Sequence, residues 1–259
     1  MATYLDKILA AHRADALADD RPLTALVERV AAMAPTRGFR ARVAADAADS
    51  LAVISEIKRR SPSKGDLNIG LDPAELAHTY QRGGASCLSV LTDIEFFGGS
   101  TADLQAARAA TGLPVLRKDF TVSERDVCDA RLIGADCVLL IAAALSPAEV
   151  VSFHRLAIEI GLDVLVEIHD ERELDVGLAA GATMIGVNQR DLVTFQVDHE
   201  RAARLASVIP VGVIKVAESG VRGPDDARSL RAAGYHAVLV GETLVTATDP
   251  AAALRALRV

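Results

Sequence analysis

The chain has 259 residues, 51% of them hydrophobic and 24% charged, a balance that excludes intrinsic disorder and can bury a core without disulfide or metal support. Only 3% are aromatic, with no Trp, which argues against a nucleic-acid platform built on base stacking. The net charge of −7 argues against a general polyanion binder, but a local cluster of Lys and backbone N–H groups could still hold a small anion.

The N-terminal stretch MATYLDKILAAHRADALADD lacks the apolar segment and small-residue cleavage site of a secretory signal. Residues 1–45 form an extension that reads as two Ala- and charge-rich helices, over about 3–19 and 22–34. The pattern alone leaves two roles open for it: a plug over one end of the fold, or a lid over the active site.

From residue 53 onward, short aliphatic runs alternate with amphipathic segments. The runs are Val53–Lys58, Cys87–Asp93, Pro114–Phe120, Cys137–Ala143, Asp163–His169, Met184–Arg190, Val213–Ser219 and Ala237–Leu244. Their near-continuous apolar character indicates strands buried on both faces, hence a parallel sheet. Asp72-Pro73-Ala74-Glu75 and Ser146-Pro147-Ala148-Glu149 read as capping boxes with Pro in the first helical position, and Gly223-Pro224-Asp225 and Asp249-Pro250 are weaker helix starts. A Gly precedes every second run (Gly84, Gly134, Gly181, Gly234), about 50 residues apart, as expected of helix C-termini spaced by two βα units. Eight such units predict an α/β chain folded as a (β/α)8 (TIM) barrel over 46–259, one domain with the N-terminal helical extension. An open doubly wound sheet is the alternative, but no G-x-G-x-x-G or P-loop pattern accompanies the runs.

The longest apolar run, Cys137 to Leu145, is far below the roughly 20 residues of a membrane span, so no membrane partner is expected. Three cysteines, Cys87, Cys128 and Cys137, make no C-x-x-C pair and fit a reducing cytoplasm.

Chemistry in such barrels sits at the C-terminal ends of the strands. Glu56 and Lys58, two apart, share one face of the first run, and Lys118 is in phase with Leu116. Glu167, Asn188 and Glu218 lie near the ends of the fifth, sixth and seventh runs. A single charge at a strand end is usually a solvated or paired one. Two lysines and three glutamates at one mouth form a network that can pair internally and perturb its own pKa values. Lysine is a proton donor by default, kept charged by carboxylates and pushed toward a general-acid range by desolvation. The set suits protonation of a carbonyl followed by removal of a proton. It does not suit metal binding, and neither a metal nor a cofactor is expected. His169 is the one histidine near the mouth and reads as structural or peripheral. Ser219-Gly220 and Gly241 follow the last two strands, where barrels commonly build a phosphate site. The basic loop Arg59–Asp66 reads either as a solvated turn or as a mobile phosphate-facing lid.

These segments together resemble the indole-3-glycerol phosphate synthase family. The resemblance rests on Glu56-Ile57-Lys58-Arg59-Arg60-Ser61-Pro62-Ser63-Lys64-Gly65, Leu91-Thr92-Asp93 with Phe96-Phe97-Gly98-Gly99-Ser100, and Leu116-Arg117-Lys118-Asp119-Phe120. It continues through Val166-Glu167-Ile168-His169-Asp170, Gly186-Val187-Asn188-Gln189-Arg190-Asp191-Leu192 and Val216-Ala217-Glu218-Ser219-Gly220. It covers nearly the whole chain and implies that the extension packs over the barrel mouth. It also implies ring closure, decarboxylation and dehydration of 1-(2-carboxyphenylamino)-1-deoxyribulose 5-phosphate on the route to tryptophan.

By motif, Lys118 matches the general acid of ring closure and Glu167 the acid–base residue of dehydration. Lys58 matches a residue near the substrate carboxylate that is also a candidate proton donor to the departing hydroxyl. Glu56, Asn188 and Glu218 match groups that position the lysines and the ribulose hydroxyls. Ser61, Ser219, Gly220 and Gly241 match the phosphate site, Arg190 the anthranilate end, and Phe97, Phe120 and Leu139 the apolar ring pocket. Some relatives carry Ser where this chain has Glu242, so backbone N–H groups are expected to face the phosphate and the Glu242 side chain to turn away. The implied partner is a small anionic molecule, with no nucleic acid, and the chain is expected to act as a monomer. A Schiff-base aldolase with Lys118 as nucleophile, a sugar-phosphate isomerase and a phosphate-binding barrel without chemistry are the competing readings.

Overall fold

The computed structural model describes residues 3–191 and 193–259; Leu192, the last residue of one motif above, lies outside them. Eight strands close into a barrel in which every neighbouring pair is parallel. They are β1 (Ala52–Ile57), β2 (Cys87–Leu91), β3 (Val115–Lys118), β4 (Cys137–Ile141), β5 (Asp163–Ile168), β6 (Met184–Asn188), β7 (Ile214–Glu218) and β8 (Ala237–Val240). Seven of the eight predicted runs contain one strand each, and the first overlaps β1, which begins one residue earlier at Ala52. Two runs extend into another element: Ala142–Ala144 is a 3-10 turn, and Glu242–Val245 is a short helix.

The helices are α1 (Tyr4–Ala18), α2 (Leu23–Ala31), α3 (Phe39–Ala47), α4 (Pro73–Gly83), α5 (Thr101–Ala110), α6 (Glu124–Leu132), α7 (Pro147–Glu159), α8 (Glu171–Ala179), α9 (His199–Ala206), α10 (Pro224–Ala232), α11 (Glu242–Val245) and α12 (Pro250–Leu257). The predicted cap at α7 is a full capping box, with the Ser146 side chain accepting from the Glu149 N–H and Glu149 reaching back. Asp72 and Asp249 accept N–H bonds at the starts of α4 and α12. Gly84, Gly134, Gly181 and Gly234 all take positive φ, from 87° to 97°, so the repeat seen in sequence marks left-handed turns out of helices.

Strand alternation builds two cores. Outward-facing Val53, Leu88, Val90, Val138 and Val166 pack beneath the helices. Inward-facing Ala52, Ile54, Cys87, Leu116, Leu139, Leu165, Val216 and Leu239 fill the barrel. Along an inward row the chemistry changes with height: Ala52 and Ile54 give way to Glu56, Leu116 to Lys118, Leu165 to Glu167, and Val216 to Glu218. The apolar floor supports a charged ceiling at the C-terminal ends of the strands.

The extension has three helices rather than the two predicted, and α3 crosses the boundary expected at residue 45. It serves both of the roles left open. Phe39 and Val43 of α3, both fully buried, join the inner core among the residues at the N-terminal ends of the strands and stopper that end. Helix α1 spans the opposite mouth, with buried Ile8 among the residues lining the cavity there. α1 is tied down by polar contacts: His12 Nε2 lies 2.9 Å from Asp93 Oδ2, and Arg13 donates to Glu149 at 2.9 Å and to the Ala144 carbonyl at 3.2 Å. Tyr4 meets Phe96 and Phe195 edge-on, each at 5.8 Å between ring centroids.

Two expectations follow from these two attachments. Phe39→Ala should lower stability by about 3–5 kcal/mol by opening a cavity at the stoppered end, read from the urea midpoint; a loss under about 1 kcal/mol would contradict the role of α3. For α1 the latch is titratable. Burial lowers the affinity of the His12 ring for its proton, but the bond to Asp93 and the charges of Asp93 and Asp119 outweigh this and raise its pKa above 6.5. A raised pKa means the stabilisation is fully present below 6.5 and lost as pH rises through the folded-state value. Hydrogen-exchange protection of α1 should therefore fall as pH rises above 6.5 while that of α3 does not; a flat α1 profile would contradict the latch.

Candidate active site

A cavity of about 530 Å³ opens at the C-terminal ends of the strands, and every site residue nominated from sequence lines it. Strand register explains the convergence. Glu167 pairs with Gly186 and Ile141, Asn188 lies beside Glu218, and Lys118 sits beside Leu91.

Lys118 is the hub. Its Nζ lies 2.8 Å from Glu167 Oε2 and 3.3 Å from Glu218 Oε2. Glu167 also accepts from Asn188 Nδ2 at 2.9 Å. At the end of β1 Lys58 donates to Glu56. Glu56, Glu167 and Glu218 are all buried, so these carboxylates depend on their partners rather than on water.

The charges settle unequally. Burial would lower the pKa of Lys118, but Glu167, Glu218 and Glu56 outweigh it and hold the ammonium above the usual lysine value. The expected push toward a lower, general-acid range is thus overridden by the carboxylates. Burial would raise Glu167, yet Lys118, His169 and the bond from Asn188 hold its pKa below the usual carboxylate range. Glu218 goes the other way: burial, with the charges of Glu167 and Glu56, raises its pKa against the pull of Lys118. Glu218 Oε1 is also buried without a hydrogen-bond partner. One of the two carboxylates flanking Lys118 is therefore the natural seat of a proton.

Two glycines make room for this network. A Cβ at Gly186 would lie 2.1 Å from Glu218 Oε1, and one at Gly241 would lie 2.3 Å from Glu56 Oε1 and 3.1 Å from Lys58 Nζ. Gly241, read from sequence only as a phosphate residue, thus also leaves space for the Glu56–Lys58 pair. After β7 the backbone turns sharply through Ser219 (φ 65°) and Gly220 (φ 77°). A non-glycine residue in that region is strained, and such strain gathers at ligand-binding turns.

The apolar side of the cavity carries Phe97 and Phe120, with ring centroids 6.3 Å apart and tilted by 40°, together with Leu139. His12 lies 5.5 Å from Phe120, so the α1 latch also backs the aromatic wall. Arg190 donates to the Phe195 carbonyl at 3.1 Å.

Other features differ from expectation. The two arginines of the loop after β1 are anchors: Arg59 pairs with Asp103, and Arg60 donates to the Ile94 carbonyl at 3.1 Å. Ser61, Ser63 and Lys64 of that loop do line the cavity, while Arg60–Ser61 and Gly65–Asp66 pair as a small hairpin. The Glu242 side chain does not turn away. It stays at the rim, 3.6 Å from Lys64 Nζ and 4.0 Å from Arg190 Nη2, because those cations attract it. Sequence reasoning missed Tyr4, Ile8, Phe195 and His199 as lining residues. The spacing Tyr4, Ile8, His12 is one stripe of a helix and could have marked the face of α1 turned to the mouth.

His12, Asp93 and Asp119 bring potential metal-ligating atoms within 4.8 Å of one another. Their lone pairs are already engaged. Asp93 accepts the N–H groups of Phe96 and Phe97 at 2.6 and 3.0 Å, and Asp119 accepts from Arg117 at 3.0 Å. The cluster reads as an ion-pair network that anchors the lid.

The comparisons agree with the motifs. The family model for indole-3-glycerol phosphate synthase matches residues 5–257. The chain is 52% identical over 232 residues to indole-3-glycerol phosphate synthase 2 of Streptomyces coelicolor, covering 90% of this chain and 89% of that protein. It is 48% identical to the Nocardioides sp. indole-3-glycerol phosphate synthase, covering 98% and 97% of the two chains. The synthase of Aromatoleum aromaticum is 47% identical, with 99% of each chain covered. A thiamine phosphate pyrophosphorylase structure from Pyrococcus furiosus shares the fold alone, with a TM-score of 0.59 at 17% identity over 80% of this chain and 93% of that one. With a family match over residues 5–257, and relatives near half identity over 89% and 97% of their length, the protein belongs to the indole-3-glycerol phosphate synthase family.

Proposed function

We propose that this mouth closes the indole ring of 1-(2-carboxyphenylamino)-1-deoxyribulose 5-phosphate, releasing carbon dioxide and water to give indole-3-glycerol phosphate in tryptophan biosynthesis. The observation that carries the assignment is the Lys118 ammonium, only 15% exposed and held by Glu167 and Glu218 in the same cavity as the aromatic wall and the Ser219-Gly220 turn.

In the first step the ring carbon bearing the carboxylate attacks the ketone carbon. The C=O electron pair moves to oxygen, and Lys118 donates a proton to the developing alkoxide. An alkoxide is a far stronger base than any amine, so the raised pKa of Lys118 does not impede the transfer, and the positioned cation stabilises the transition state beforehand. Cleavage of the C–COO⁻ bond then returns its electrons to the ring and restores aromaticity without an electron-sink cofactor. Finally the hydroxyl leaves as water with a proton from Lys58, while Glu167 removes the proton from the adjacent carbon and the pyrrole double bond forms.

Glu167 remains ionised beside the substrate, in the form that can accept a proton. Asn188 fixes its orientation through Oε1. Phe97, Phe120 and Leu139 suit the benzene ring, Arg190 the anthranilate carboxylate, and Ser61 with the Ser219-Gly220 and Gly241 backbone the phosphate. Holding a flexible chain folded with its ring over the ketone supplies an entropic share of the rate. The net charge of −7 is no obstacle, because Lys58, Lys64, Lys118 and Arg190 gather at the cavity that receives two anionic groups. Buried, free Cys87, Cys128 and Cys137 suit work in a reducing compartment.

An indole-fluorescence assay with the carboxyphenylamino sugar phosphate tests the assignment. Lys118→Ala should cut turnover by ~10³-fold or more while the circular dichroism spectrum stays native; normal turnover would overturn it. Glu167→Gln should lose ~10²-fold or more in kcat. Gly186→Ala, which touches no substrate, should lose ~10²-fold in kcat because its methyl displaces Glu218; wild-type turnover would show that Glu218 need not sit where it does.

A further inference from the structure

One largely buried titratable group beside Glu167 has no task in the reaction above. His169 follows Glu167 by two residues at the end of β5, and its side chain is 12% exposed. Its backbone N–H and its ring Nδ1 both meet Glu173 Oε2 on the first turn of α8, at 2.7 and 3.0 Å. Its Nε2 points back toward the site, 3.8 Å from Glu167 Oε1, buried and without a hydrogen-bond partner.

Donor and acceptor counting fixes the protonation of this ring. A carboxylate has only lone pairs to offer, so Nδ1 must carry a proton to bond Glu173. A neutral ring would then turn the lone pair of Nε2 toward the Glu167 carboxylate, which repels it in a site shielded from water. A proton on either partner removes the repulsion. Glu167 already accepts from Lys118 on one oxygen and from Asn188 on the other, an arrangement that stabilises the anion. The proton therefore belongs on Nε2.

We propose that His169 is a positioning residue for Glu167: an imidazolium clamped by Glu173 that orients the Glu167 carboxylate and keeps it ionised for proton removal. This rests on the reading of Glu167 as the base of dehydration. The charged groups facing the ring are Glu167 from β5, Glu173 from α8 and Arg201 from α9. Burial and Arg201 work against protonation of the ring, and the two carboxylates outweigh them, so its pKa lies above 6.5. Arg201 is committed elsewhere, donating to the Asn188 carbonyl at 2.9 Å.

Two measurements test the proposal. The first is ¹⁵N NMR of the histidine rings in the full chain, with the His169 signal assigned by its loss in His169→Asn. Both nitrogens should be protonated at pH 6.5, and Glu173→Gln should lower the pH at which the second proton leaves. A neutral ring carrying its proton on Nδ1 alone would overturn the proposal. The second is the pH dependence of kcat. In His169→Asn the amide can replace Nδ1 toward Glu173 but leaves nothing facing Glu167. Its acid limb should move to higher pH by about half to one unit, with KM changed less than about twofold, because removing a nearby cation raises a carboxylate pKa. Loss of kcat by the same factor at every pH, or a wild-type profile, would overturn it. The Glu167→Gln arm separates the two readings: full turnover there defeats the proposed role of Glu167, while the ring titration still decides the state of His169.

Discussion

The largely buried Lys118 ammonium, gripped between Glu167 and Glu218, is the constraint to which the rest of the mouth conforms. Burying a lysine is unfavourable unless anions stand close, and burying those anions is unfavourable unless the lysine stays. The barrel meets both conditions by bringing the ends of β3, β5 and β7 to one point, each with an apolar residue two positions earlier that fills the interior. The excess of negative charge is relieved by the raised pKa of Glu218, which lets that carboxyl hold a proton where Glu167 does not. The network also explains why Gly186 and Gly241 carry no side chain, since a single methyl at either would collide with one of its carboxylates.

The N-terminal extension closes the barrel at both ends by different physics. Helix α3 is held by apolar burial of Phe39 and Val43, which is insensitive to pH and has no reason to reverse. Helix α1 is held chiefly by ion pairs, hydrogen bonds and edge-on aromatic contacts, each individually modest. A stopper and a releasable cover are what a one-mouthed cavity requires if substrate is to enter and water is to be excluded during the chemistry. Because His12 also lies against Phe120, movement of the cover is felt by the aromatic wall.

Much of this was legible in the sequence, for identifiable reasons. Strands buried on both faces read as continuous apolar runs, and their polar termini two residues on, such as Lys118 after Leu116 and Glu167 after Leu165, exposed the inward register. Helix α3 was not legible because FRARVAADA is short and polar, with only Phe39 and Val43 marking its buried face. The rim position of Glu242 was missed because it depends on Lys64, from a loop far away in sequence. His169 looked peripheral for a related reason: its clamp, Glu173, lies on the next helix, and only the folded geometry shows that one ring nitrogen is spoken for while the other faces Glu167.

The central claim is that Lys118 rests as an ammonium and acts as a proton donor rather than as a neutral amine. The most direct measurement is the ¹⁵Nζ NMR titration of lysine-labelled protein, with the Lys118 signal assigned by its loss in Lys118→Met. The charge network predicts an ammonium signal that persists past pH 10.5, the ordinary lysine value. Conversion to a neutral amine below about pH 9 would contradict it, and would return Lys118 to the class of nucleophilic lysines.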